Sequence, residues 1–160
     1  MDKLQVYKYL EEKGISYKAI EHEALFTVKQ AKALRLPNSE AGAKNLFLRD
    51  DKKRSYYLLT VRDTLSVDLK DFQMKIGSRR LSFASEDDLL HIMKLGKGSV
   101  TPLGVLNDER CIVNVYFDAF FEGKTISVHP NDNTATIYLK CDDLVHLINE
   151  HGNQVKYIEF

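Results

Sequence analysis

Apolar positions along this chain switch repeatedly between helical and alternating spacing, and the switches mark out its elements. Leu4, Tyr7 and Leu10 form one stripe, which predicts a helix over Asp2 to Lys13 stopped at Gly14. Ile15 to Ile20 alternates and predicts a strand. Thr27 followed three residues later by Gln30 has the form of a capping box, and the helix it opens is expected to end before Pro37. The apolar runs Leu46 to Leu48 and Tyr56 to Val61 flank a charged link that includes Asp50, Asp51 and Arg54, as in a hairpin.

The second half repeats the alternation. Leu69, Phe72 and Ile76 lie on one helical face of Asp68 to Ile76, ending at Gly77, and Leu81 to Ala84 predicts a short strand. Ser85 and Asp88 have capping spacing and start a helix through about Lys94, followed by a loop over Gly96 to Gly104. Cys111 to Phe117, Lys124 to Val128 and Thr134 to Leu139 predict strands. A helix over Asp142 to His151 and a strand over Val155 to Phe160 complete the chain. Strands adjacent in sequence pair often, so the expected architecture is one α/β or α+β domain, residues 1–160, with a strongly curved mixed sheet and helices packed outside. Periodicity does not fix its topology.

Composition then narrows the partners. The chain has 160 residues, 44% hydrophobic and 29% charged, enough for one core of ordinary size. Lys plus Arg and Asp plus Glu number 23 each, so no global field draws it to a polyanion, and any nucleic acid must be held by a local patch. Cys111 and Cys141 form no CxxC pair and have no His at ligand spacing, and Met1 to Leu4 lacks a signal-peptide pattern. A reduced cytoplasmic protein without structural zinc or cofactor is expected. No apolar run approaches the ~18 residues of a membrane span.

Three scattered elements carry candidate chemistry. Lys44, followed by Asn45, opens an apolar run, where an ammonium at the rim of a core attracts a phosphate or a polarised ester carbonyl. Taken alone, such a lysine is more often one snorkelling at a sheet edge. The loop Gly98, Ser99, Val100, Thr101, Pro102 pairs a glycine, which lets a ligand approach the backbone, with a proline that fixes φ. Its N–H and C=O groups can hold a carbonyl, an oxyanion or a water, although many loops after helices look the same. His129 alternates with Thr125 and Ser127 and so is expected to face a polar space, where it can bond a sugar hydroxyl or act as a base. A hydrogen-bonded turn histidine is the commoner outcome. The other four histidines, including His22, are read as surface residues. Two basic sets could meet nucleic acid: Lys29, Lys32 and Arg35 opposite Val28, Ala31 and Leu34, and Arg79 with Arg80 before the Leu81 strand. Each is also what a solvated face looks like.

The strings Lys44 to Asp50, Arg80 to Ser85, Gly98 to Gly104 and His129 to Thr136 occur together in the order seen in the YbaK and prolyl-tRNA synthetase editing-domain family. The chain resembles most its freestanding prolyl-tRNA deacylases, over nearly its whole length. The resemblance implies a barrel-like mixed sheet and hydrolysis of mischarged Ala-tRNA(Pro). Lys44, Gly98 and His129 would be the catalytic set, with Lys44 on the terminal adenosine phosphate or the ester, and Asn45, Ser99, Val100, Thr101 and Pro102 would bind substrate. The family's water is set by backbone groups and the tRNA's own ribose hydroxyl, which implies neither metal nor side-chain nucleophile. The implied partner is the acceptor end of tRNA(Pro), with a transient contact to prolyl-tRNA synthetase and a monomeric or weakly dimeric state left open. Leu103 stands where an aromatic is frequent, which leaves pocket size open. Cys-tRNA(Pro) or another small-amino-acid ester is the alternative substrate, and a non-catalytic tRNA or amino-acid binder is the alternative function.

Overall fold

The computed structural model describes residues 1–160, with the side chain of Val28 outside what is described. The expected α/β architecture of mixed strands with flanking helices forms, its strands divided between two sheets. The first is mixed, its strands ordered Leu81–Phe83, Ala43–Asp50, Tyr56–Arg62, Val113–Asp118, Val155–Ile158, and the second is antiparallel, ordered Tyr17–Glu21, Ala135–Lys140, Thr125–Val128. In the first sheet β2 (Ala43–Asp50) and β3 (Tyr56–Arg62) form the expected hairpin, β4 (Leu81–Phe83) adds antiparallel to β2, and β5 (Val113–Asp118) and β8 (Val155–Ile158) add in parallel. In the second, β7 (Ala135–Lys140) sits between β1 (Tyr17–Glu21) and β6 (Thr125–Val128).

Five helices pack on these sheets. Helix α1 (Lys3–Glu12) opens with a capping box between Asp2 and Gln5 and buries Val6 and Leu10. Helix α3 (Leu69–Ile76) is capped by Asp68 and stops at Gly77, whose φ of 67° is the left-handed conformation that ends helices. Helix α4 (Glu86–Met93) has the predicted Ser85 and Asp88 box, and α5 (Cys141–His151) buries Leu144, Leu147 and Ile148. Helix α2 (Val28–Ala33) is capped by Thr27, but the side chain of Gln30 turns to the N–H of Phe26, so the box is not reciprocal. The helix ends well before Pro37, with Arg35 at a φ of 51°.

Alternate side chains of β2 serve two cores, because successive residues point to opposite faces. Phe47 joins Leu58 and Phe117 against Ile126 and Ile137 of the second sheet and the buried faces of α1 and α5. Leu48 joins Leu59, Val61, Phe72 and Leu81 beneath α3. Two boundaries differ from the sequence reading. Strand β5 begins at Val113 because Cys111 holds a φ of 52°, which no strand accommodates. The second half of the expected loop winds into a buried 3-10 helix over Pro102–Asn107. Among the described residues no helix is long and apolar enough to cross a membrane.

Candidate active site

A cavity of about 790 Å³ lies where the two sheets meet, walled by the start of β2, the end of β3, β6, β7 and the segment from His22 to Glu40. Lys44, Asn45, Gly98, Val100 and His129 all line it. Lys44 opens β2 opposite Val61, is half-buried, and makes no hydrogen bond or ion pair among the described residues. Its charge is therefore available to a ligand.

Side-chain bonds fix the glycine-rich loop to the strands around it. Asn45 Nδ2 donates to the Val100 carbonyl at 3.1 Å while Asn45 Oδ1 accepts from the Thr60 hydroxyl at 2.7 Å. Both ends of the amide are thus engaged, and Asn45 positions the loop. Thr101 Oγ1 donates to the His129 carbonyl at 2.8 Å, tying loop and histidine together. Thr101 and Pro102 are buried behind the wall, and Ser99 lies off it, its N–H bonded to Gly96. Gly98 has a φ of 80°, and a Cβ there would meet the Phe26 ring at 3.4 Å and the Phe26 carbonyl at 3.6 Å. Leu103 is wholly buried in the core, off the cavity wall.

Instead of a polar space, His129 meets a desolvated one. Its Nδ1 is sealed from solvent with no hydrogen-bond partner. Burial pushes its pKa down to about 4, against the opposing pull of the Asp132 carboxylate and the Val100 backbone. At neutral pH the ring is uncharged. His22, assigned to the surface from sequence, lines the same cavity. Its Nδ1 lies 2.7 Å from the Glu23 carbonyl and its Nε2 2.8 Å from the Thr136 hydroxyl. A carbonyl only accepts, so Nδ1 carries the proton and Nε2 takes the hydroxyl's hydrogen. No periodic signal reveals this residue, because β1 ends at Glu21 and it is the pairing with β7 that sets His22 opposite Thr134, from where its ring reaches Thr136.

The basic residues divide. Lys32 and Arg35 reach the cavity wall, whereas Lys29 on the same helix is exposed and off it. Arg79 and Arg80 lie elsewhere: they precede Leu81, which pairs with Asp50 six residues along β2 from Lys44, about 20 Å away at strand rise. Arg79 also pairs with Asp51 at 2.6 and 3.0 Å. Arg62 was missed by the sequence reading; it lines the cavity, bonds the buried Asp118 at 2.8 Å and covers the Phe120 ring. Both cysteines are free, and no cluster of His, Cys, Asp or Glu among the described residues could hold a metal ion.

A cavity with a free ammonium, a backbone-lined loop and a neutral imidazole suits an anionic ester ligand. Comparison with known proteins agrees: the profile of the aminoacyl-tRNA editing domain matches residues 22–147. The chain belongs to the aminoacyl-tRNA editing domain family. It is 45% identical over 158 residues to the prolyl-tRNA editing protein ProX of Acetoanaerobium sticklandii, covering 98% of this chain and 96% of that one. It is 33% identical over 151 residues to prolyl-tRNA synthetase associated domain-containing protein 1 of Mus musculus, covering 92% and 89%. Among solved structures, a candidate trans-editing enzyme for prolyl tRNA synthetase superposes with a TM-score of 0.72 at 21% identity, covering 98% and 96%. The hypothetical protein APE2540 gives 0.72 at 13% identity, covering 96% and 97%, so the fold is shared well beyond detectable sequence likeness.

Proposed function

We propose that this protein is a trans-editing deacylase that hydrolyses the ester of tRNA(Pro) mischarged with alanine. The observation that carries the reading is the convergence of Lys44, Gly98 and His129, far apart in sequence, on one cavity. Family membership gives the substrate class, and the names of the relatives favour tRNA(Pro). In this reading the Lys44 ammonium holds the terminal phosphate or the ester carbonyl, and the N–H groups of Gly98 and Val100, the loop residues on the cavity wall, answer the charge developing on that carbonyl. Water oxygen bonds to the carbonyl carbon, the carbon–oxygen bond to the ribose breaks, and the ribose oxygen leaves with a proton, giving alanine and uncharged tRNA.

His129 serves as a neutral hydrogen-bonding group to a ribose hydroxyl. A pKa of about 4 makes it a weak base near neutrality. The loop backbone then orients the attacking water, and the tRNA's own ribose hydroxyl relays its proton to the leaving ribose oxygen. Such a task exists because a synthetase site built for proline discriminates against missing methylenes by only ~1–3 kcal/mol. The chain acts as one unit at the acceptor end of the tRNA, in the cytoplasm.

The test is release of labelled amino acid from Ala-tRNA(Pro), with Pro-tRNA(Pro), Cys-tRNA(Pro) and Ala-tRNA(Ala) alongside. Loss of alanine from tRNA(Pro) with proline spared is the expected result. Stability of all four esters with folded protein present would leave a binding module instead.

A further inference from the structure

Behind the glycine-rich loop lies a second cavity of about 420 Å³. It shares Asn45, Gly98 and Val100 with the first, so the two spaces are separated by one thickness of chain. Its floor is apolar, from Phe47 and Leu89. Its side is Phe83, which is 61% exposed because β4 is the edge strand and nothing covers its outer end. At the rim Glu86 and Lys97 form an ion pair at 3.4 Å with both side chains mostly in water. Such a pair contributes little to stability and opens at small cost. An accessible aromatic beside a carboxylate and an ammonium is the set of groups that receives an unpaired base: a stacking face, an acceptor for an exocyclic amine and a donor for the adjacent ring nitrogen or carbonyl.

We propose that this cavity receives the penultimate cytosine of the tRNA 3′ end, stacked on Phe83 with its amine on Glu86 and its acceptors facing Lys97. The inference rests on the deacylase reading, which puts the terminal aminoacyl adenosine in the larger cavity. The single-stranded end of every tRNA supplies a cytidine directly before that adenosine, and the shared wall at Gly98 is where the backbone would pass. Carboxylates accept from the cytosine amine, whereas uracil offers a carbonyl at that position and is repelled.

The experiment compares kcat/KM of the full chain on three alanyl esters: a tRNA(Pro) acceptor minihelix, the same minihelix with an abasic penultimate nucleotide, and 3′-alanyl adenosine alone. Stacking of one base corresponds to about a 5- to 150-fold effect. The parent should favour the intact minihelix over the abasic one by such a factor. Phe83→Ala should lose that preference while keeping the parent's rate on alanyl adenosine, and Phe83→Tyr should restore it. Glu86→Gln, at an exposed position outside the sheet, should lose part of it even if Phe83→Ala does not fold. Equal parent rates on the two minihelices overturn the proposal, as does a Phe83→Ala loss that is the same on alanyl adenosine. If the parent cleaves none of the three, the deacylase reading fails by itself. Anisotropy with uncharged minihelices then decides the subsite, since unchanged affinity on removing the base refutes it and weaker binding that Phe83→Ala abolishes supports it.

Discussion

His129 carries a pH dependence whose sign follows from its burial. An unfolded histidine takes up its proton near pH 6.5, whereas the folded ring resists until about pH 4. Between these values the unfolded chain binds more protons, so stability falls as pH drops from 6.5 to 4, by about 3 kcal/mol at the lower end. Above pH 6.5 the effect is absent. Urea unfolding across this range should show the slope in the parent and its loss in His129→Gln; matching slopes would mean the ring is solvated. The same shift predicts that deacylation shows no limb near pH 6.5 from this residue. Lys44 makes the opposite kind of prediction, since it has no partner among the described residues and supports no core. Lys44→Ala should reduce deacylation by about 10²- to 10³-fold, the scale of a lost electrostatic contact to a transition state, with the melting temperature nearly unchanged. Full activity in the folded variant would remove Lys44 from the site. At this scale the sequence was informative where a residue type is itself unusual for its place, as with a lysine opening an apolar run. It misplaced His22 at the surface and was silent on Arg62, because the positions of both arise only from tertiary pairing.

Elements decide which charges count. Helix α2 and the left-handed turn that follows it bring Lys32 and Arg35 to the cavity wall, while the register of β2 with β4 holds Arg79 and Arg80 at the far end of the strand. Lys32→Gln with Arg35→Gln should therefore weaken tRNA binding at low salt, and Arg79→Gln with Arg80→Gln should leave it nearly unchanged. Direct binding by anisotropy checks both, and an equal loss from the second pair would place the acceptor stem along β2. The element pattern itself was largely legible: the caps read at Thr27 and Ser85 both form, because a side-chain oxygen answering an orphan N–H is a local event, and Asp2 and Asp68, read only as the starts of their helices, cap them in the same way. The misread start of β5 lies where a non-glycine residue, Cys111, takes positive φ, a choice made by packing and turn bonding that leaves no mark on hydrophobic spacing.

At the scale of the whole molecule, the hydrophobic pattern called for a curved mixed sheet and could not show that it divides in two. That division follows from long-range pairing of β1 with β7 across most of the chain, which no local period encodes. It also makes the cavity, since the cleft is the seam between sheets that share a core through Phe47, Ile126 and Ile137. Charge behaves likewise: the total is zero, yet Lys32, Arg35 and Lys44 gather at this seam, while Arg62 is already compensated by Asp118. A polyanion then meets three cations that no ion pair holds among the described residues, beside the carboxylates of Glu40 and Asp63 on the same wall. For single-stranded nucleic acid each neutralised phosphate contributes about −0.7 to the slope of log affinity against log salt, so three give a slope of about −2. Titrating tRNA binding over a range of salt should return that shallow dependence, falling towards zero in the combined Lys32→Gln, Arg35→Gln, Lys44→Gln protein. A slope steeper than about −4 that survives this triple change would instead require a second cationic surface, most simply the Arg79 and Arg80 edge reached by the acceptor stem.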